Sequence, residues 1–428
     1  MAIDVDSLPP RLDDAPRSPS PLIGAAVFMI CFVVGSTTAL LLWPKRYPTA
    51  TPVFWVAVAI VPLLLSALSA LVPWLFYAGT KRSIQAWNDR RDQFVSGVFE
   101  RESRPIALLG CVCRMPLDDD NALAKLAEGE HPLAPQQTPD KRTAVAARWF
   151  TAPAFSVGTD PREYDAERQR SLLPSLLRSM LDALKHRINA LPPDLPLNIA
   201  LFVDAPSFEE EVRPRMQSIW DGLKLRAYSF GTEPTVPNSM ALDAWLDSQD
   251  DRSGEHATLL LIVQLHALVS KPPPAGSTEV AIALLMTPQE VAQRHRLNEL
   301  AHIHRPRQGA IASLQQALSL ALKWGGAQPA DIHHLWHAGF DKIGQQALLS
   351  AVRMENIPLS DGRPVSGEHD IDRLVGDAGI AADWFVLACA SEFAQSYGGP
   401  QLVARHDGIH SMLTVVRPVL RSPAQGRL

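Results

Sequence analysis

The stretch Val375-Gly-Asp-Ala-Gly-Ile-Ala-Ala-Asp-Trp-Phe-Val-Leu-Ala-Cys-Ala390 sets glycines and small residues ahead of an apolar run. A helix that is apolar all round has to be buried, and glycine at its entry lets its N-terminus approach another backbone closely. The segment therefore belongs at the centre of a sheet domain, with a helix over 384–395. Working outward, residues 106–113, 197–203, 259–263 and 279–285 are continuous in apolar side chains, as strands covered on both faces are. Between and after them, apolar residues at helical intervals predict helices over 172–191, 208–223, 240–246, 310–324 and 344–352, with a loop turning helical near Pro288. Gly325-Gly326 is a fitting stop for the fourth of these. Residues 332–336 read as a short strand, and 401–404 with 411–416 as a terminal hairpin. Alternating strands and helices give an α/β class, its sheet covered on both faces.

Ahead of this body lie two charge-free stretches, 22–43 and 53–78, each matching the roughly 20 apolar residues that span a bilayer core. Trp43, Trp55, Trp74 and Tyr77 sit near their ends, where amphipathic rings favour the boundary between lipid and water. The link between them holds Lys45 and Arg46, whereas the outer flanks hold Arg11, Arg17, Lys81, Arg82, Arg90 and Arg91. Six cations against two predict both termini on the cytoplasmic side of a bacterial inner membrane. The expected organisation is a disordered polar tail (1–21), a transmembrane hairpin (22–80), a juxtamembrane helix carrying Ile84, Trp87, Phe94 and Val98 (81–104), and two α/β domains (105–274 and 275–428). The triple proline Pro272–Pro274 marks the joint between the last two, and each half is expected to supply a sheet of its own.

A net charge of -5 over 428 residues excludes the concentrated basic surface that nucleic acid requires. Four cysteines at these spacings make no disulfide framework, and free thiols fit a reducing compartment. In a strand, Cys111 and Cys113 share a face and read as core residues. His333-His334-Leu-Trp-His337 is the nearest approach to a metal site, but alternation puts His333 and His337 on one face and His334 on the other. His295, His302 and His304 are expected in a helix and its exit, solvated or bonded to backbone. Glu209–Glu211 suits a helix start, and Asp118–Asp120 lacks the ligand spacing of a calcium loop. Nucleophile-elbow, phosphate-loop and zinc-protease motifs are missing from the sequence. No catalytic, metal-ligating or cofactor-binding residue is assigned, and no cofactor is expected.

The segment beginning at Val375 resembles the Gly-His-x-x-Gly-small-small turn that opens a buried helix in thiolases and β-ketoacyl synthases. Gly376 and Gly379 match that turn, and Asp377 stands where the catalytic histidine would be. The first half shows no cysteine opening a buried helix. This resemblance implies a two-half, thiolase-like layered body without the family's chemistry. A wider resemblance rests on the hydrophobic anchor, residues 105–114 and 195–206, His369-Asp-Ile-Asp-Arg-Leu-Val-Gly-Asp-Ala-Gly379, and Val415-Val-Arg-Pro418. Together these look like the adaptor proteins that accompany lipase effectors of type VI secretion. That family implies a non-catalytic adaptor whose partners are a phospholipase effector and a spike protein, here tied to the bilayer through 22–78. The alternatives are a membrane-anchored structural scaffold and an acyl-transfer enzyme on a thiolase-like fold.

Overall fold

Charge-free sequence becomes helix at the N-terminus of the computed structural model, which describes residues 9–12, 18–117, 133–152, 160–206, 212–231, 236–247, 255–360 and 367–419. The chain divides into two units, Ile3–Glu100 and the body from Arg101 onward. In the first, α1 (Pro21–Leu41) is followed by α2 (Pro52–Trp55), a π-helical turn (Val56–Ile60) and α3 (Val61–Glu102), which run on as one helix. Two helices, Pro21–Leu41 and Pro52–Arg101, are long and apolar enough to cross a membrane. They pack closely at Gly35, where an added Cβ would stand 3.0 Å from Pro62. The charged helix expected over 81–104 is the last part of α3, because no breaker interrupts the backbone where the apolar stretch gives way to charge. There Asn88 pairs with the main chain of Leu12 in both directions, accepting from its N–H (3.1 Å) and donating to its carbonyl (3.0 Å). Arg91 donates to the Pro9 carbonyl (2.8 Å).

The body is built twice over on one plan. Its first half runs β1 (Ile106–Arg114), the small ribbon β2 (Pro135–Gln137) and β3 (Ala144–Ala146), α4 (Pro161–Asn189), β4 (Leu197–Asp204), α5 (Val212–Leu223), β5 (Ser229–Phe230), α6 (Ala241–Asp247), β6 (Ala257–Gln264) and β7 (Val280–Pro288). After α7 (Gln289–Arg294) the second half runs β8 (Ala301–Ile303), β9 (Arg307–Gly309), α8 (Leu314–Trp324), β10 (His334–Ala338), α9 (Lys342–Met354), β11 (Glu368–Asp370), α10 (Ile371–Leu374), α11 (Ala382–Tyr397), β12 (Gln401–His406) and β13 (Ser411–Pro418). In the first half the strands lie in the order β1-β7-β6-β4-β5, and in the second β8-β13-β12-β10-β11. The senses also agree: β4 is parallel to β5 and β6 as β10 is to β11 and β12, and the remaining pairs are antiparallel. β1 and β8 join the halves edge to edge through Ile106↔Ile303, Ala107↔His302 and Leu108↔Ala301.

The two halves therefore share one sheet, where two separate sheets were expected. Pro272–Pro274 lies in the connection between β6 and β7, which are antiparallel neighbours, so the triple proline marks a turn inside the first half. His302 and His304 are likewise extended, in β8 and just after it; three residues are too few to show a strand period. Asp118–Asp120 and Glu209–Glu211 lie outside the described residues.

Alternate side chains along each strand enter different layers. In β6, Leu260 and Ile262 face the middle of the molecule with α6 and α11, whereas Leu259, Leu261 and Val263 face outward to α4 and α5. In the second half Trp336 and Val403 face the middle, and Leu335, Leu402 and Ala404 face α8 and α9. Five layers result: helices, the strands of the first half, central helices, the strands of the second half, helices. That is why the strands read as unbroken apolar runs. The central α11 buries eight consecutive residues, Trp384 to Ser391, as its sequence requires.

One ion pair is sealed into the first half. Arg168 of α4 donates to both carboxylate oxygens of Glu279 (2.9 and 2.6 Å), and their side chains are 1% and 0% exposed. Glu279 also accepts from His266 N (2.8 Å) and Phe150 N (2.8 Å), while Arg168 donates to the carbonyls of His266 (3.2 Å) and Phe150 (2.9 Å). The pair thus ties α4 to the main chain on either side of it. Glu279→Ala strands a buried guanidinium and is expected to cost about 3–5 kcal/mol. The double change Arg168→Met with Glu279→Leu should cost clearly less, as read by urea denaturation of both variants.

Candidate functional site

The turn before α11 takes its shape from two glycines with left-handed backbone. At Gly376 (φ 116°) a Cβ would stand 2.8 Å from the carbonyl carbon of Ser277, and at Gly379 (φ 56°) it would stand 2.5 Å from Gln264 Oε1. Between them the turn pairs with the segment leading into β7: Asp377 N donates to Gly276 O (2.7 Å) and Thr278 N to Asp377 O (2.9 Å). Gln264, at the end of β6, accepts from Ile380 N (3.1 Å) and donates to Asp204 at the end of β4 (2.8 Å). The three residues singled out in the sequence thus sit in one turn. Asp377 is exposed, and its carboxylate accepts from Gly379 N (3.0 Å), closing a local loop.

By the internal repeat, the position equivalent to this turn is the segment opening α6. It reads Pro237-Asn238-Ser239-Met240, without a cysteine. Ser239 is buried and its hydroxyl donates to Met412 Sδ (3.2 Å). The openings of α6 and α11 are bound together: Ser239 N donates to Asp383 (3.0 Å), Trp384 Nε1 to Pro237 O (2.7 Å), and Trp245 stacks on Trp384 with ring centres 5.9 Å apart. Arg405 of β12 donates to the other oxygen of Asp383 (3.1 Å). A groove of about 650 Å³ opens here, with Val203, Val212, Val236 and Ile380 among its apolar walls and Arg213, Asp383 and Asp407 among its polar ones.

The cysteines lie elsewhere. Cys111 and Cys113 share a face of β1, as alternation predicts, and pack on α11 near Cys389. Burial, Glu392 and Cys113 push the Cys111 thiol up; a hydrogen bond with the free thiol of Cys389, then burial, push Cys113 up. The histidines divide between the faces of β10 as the sequence implies. His337 faces Glu368 (3.1 Å), whose carboxyl is held low by that bond. On the other face, His334 meets His369 (3.2 Å), and His369 stacks on Trp336 with ring centres 4.0 Å apart. Among the described residues no group of three or more His, Cys, Asp or Glu could hold a metal ion. Gln264, Arg405 and Asp383 were not singled out by the sequence. The one signal available was a polar side chain ending a wholly apolar strand, which Gln264 shows.

No family model and no curated protein matches this chain. Among solved structures, the ketosynthase from module 6 of the bacillaene synthase of Bacillus subtilis 168 is similar in two structures. They have TM-scores of 0.51 and 0.50 and identities of 12% and 11%, covering 74% of this chain and 71% and 72% of theirs. An oxazolomycin ketosynthase domain of Streptomyces albus gives a TM-score of 0.46 at 14% identity, covering 74% of this chain and 96% of that one. The fold is thiolase-like, of the ketosynthase kind, as the turn at Gly376 implied.

Two outcomes follow from these environments. Burial, then the charges of His334 and His337, lower His369 to about 3 from an ordinary 6.5. The unfolded chain therefore takes up a proton that the native protein refuses, so stability should fall as pH drops from about 6.5 towards 3. His369→Phe should flatten that slope in denaturation series across this range. Cys111 and Cys113 should react with a disulfide reagent at pH 8 only slowly until denaturant is added.

Proposed function

We propose that this chain is a non-catalytic, membrane-anchored adaptor that binds a phospholipase effector and hands it to the spike of a type VI secretion system. The observation that carries the reading is the pair of helix openings at the centre of a ketosynthase-like body. Acyl transfer on such a fold needs an activated nucleophile with a base beside it. Here the openings present Ser239, buried against a thioether, and Asp377, closing its own turn. What remains at that place is a groove. The sequence resemblance to lipase adaptors supplies the partners. A cytoplasmic body at the inner membrane is supported by the excess of cations outside the hairpin link. It is also supported by the contacts of Leu12 and Pro9 with Asn88 and Arg91, which bring the N-terminal flank to the same end of the hairpin as the stretch after the second apolar run.

Affinity capture of the full chain from detergent-solubilised membranes, with a lipase and a spike protein encoded beside it co-expressed, should recover the lipase. Recovery of neither protein counts against the adaptor. Turnover of an acyl thioester by the purified chain, abolished by changing one cysteine, would instead make it an enzyme.

A further inference from the structure

The segment Pro9–Leu12 lies along the charged end of α3 and is held there by its main chain. Asn88 accepts from Leu12 N (3.1 Å) and donates to Leu12 O (3.0 Å), so one side-chain amide exchanges two bonds with one residue, as paired residues of antiparallel strands do. Such an exchange needs extended backbone, in which the N–H and C=O of a residue point to the same side. Pro9 and Pro10 favour that form and have no N–H in need of a partner. Arg91 takes the Pro9 carbonyl (2.8 Å), and Arg11 stands 4.0 Å from Asp92.

The fit is incomplete. Pro10, Arg11 and Leu12 stay exposed, so the segment adds bonds but little buried apolar surface. Trp87, Arg91 and Phe94 share one face of α3, at i, i+4 and i+7, and Trp87 and Phe94 remain 48% and 55% exposed beside the segment. Exposed main-chain bonds are weak on their own. Here the short tether to α1, which starts at Pro21, keeps the segment at hand. The seat thus shows which backbone it accepts and which side chains its present occupant lacks. With 53–78 in a bilayer, Trp87 stands about 14 Å of helix beyond the end of the apolar run, whereas headgroups add only about 5–8 Å to each side of the core. The two aromatic rings are therefore clear of lipid. A second copy packed on this face about a two-fold axis would bring guanidinium against guanidinium at Arg91.

We propose that Trp87, Asn88, Arg91 and Phe94 form a seat for an extended segment of a partner protein. The partner's main chain takes the bonds now made by Pro9 and Leu12, and its flanking apolar side chains cover the two aromatic rings; the chain's own N-terminal segment is the weaker occupant it displaces. This deepens the adaptor reading and rests on it for the partner's identity, the effector. The probe is a labelled peptide, Pro-Pro-Arg-Leu with two Phe on either side. Its control is N-methylated at the leucine and so lacks the N–H that Asn88 accepts. Binding to the full chain in nanodiscs of zwitterionic lipid is read by fluorescence anisotropy against empty nanodiscs. The probe should bind at least about tenfold more tightly than the control. Asn88→Ala should erase that difference, and Trp87→Ala should cost the probe about tenfold, both with the melting temperature retained. Leu12→Pro, which takes the N–H from the chain's own segment, should instead strengthen probe binding severalfold, because the tethered competitor is unseated. Equal binding of probe and control, indifference to Asn88→Ala, or weaker binding after Leu12→Pro would overturn the proposal. So would an equal signal on empty nanodiscs, which assigns the binding to lipid, or self-association that Trp87→Ala abolishes, which assigns the face to a second copy. Capture of the lipase by Asn88→Ala as fully as by the native chain would sink the seat and leave the adaptor standing. Probe selectivity without any lipase capture would do the reverse.

Discussion

A helix buried on every side can enter its surroundings only where the neighbouring backbone leaves room, and α11 is such a helix. Its entry is set by Gly376 and Gly379, each pressed against main chain or side chain of the first half. The second half's central helix is thus positioned by the first half's strand ends, Gln264 and Asp204 above all. The β1–β8 seam joins the halves through only three residue pairs. Most of what holds them together is the side-chain layer shared around α11, an apolar cluster drawing residues from the strands of both halves. The hydrophobic effect stabilises such a layer without directing it. Direction comes from the polar contacts at its margin.

Those polar contacts are concentrated at strand ends and under loops, where the ladder stops and main-chain groups need partners. Asp165 is one case: it accepts from Leu268 N (2.9 Å), Ser270 N (2.8 Å) and Ser270 Oγ (2.6 Å), fixing the loop that leaves β6. Arg168 and Glu279 are another. Both bind backbone that no strand serves, so the buried charges act as fasteners for irregular segments. The cost of burying them is offset because the guanidinium and the carboxylate are both saturated with bonds.

Much of this fold was legible in the sequence because the five-layer arrangement leaves a plain mark. Strands covered on both faces lose the alternation of polar and apolar residues, and residues 106–113 and 259–263 show that loss. The glycine turn and the apolar helix after it were legible for a similar reason, since only glycine tolerates the approach to Ser277 and Gln264. The joining of two halves into one sheet was not. β8 is three residues long, and its pairing with β1 spans nearly 200 positions, which no local pattern records. The polar half of the candidate site was hidden in the same way: Asp383, Arg405 and Gln264 are ordinary residues whose meaning lies in partners far along the chain. The groove itself follows from tertiary packing.

The π-helical turn Val56–Ile60 sets the phase of the long N-terminal helix that it interrupts. A turn of this kind carries one residue more than the α-helix around it, which shifts the angular phase of everything after it by about 100°. The helix is continuous through the turn, so the phase chosen there is carried to Asn88 and Arg91, more than two dozen residues on. Whether these two side chains meet the backbone of Pro9 and Leu12, or swing past it, is therefore decided near the start of the second apolar stretch and at a distance from the residues that make the contact.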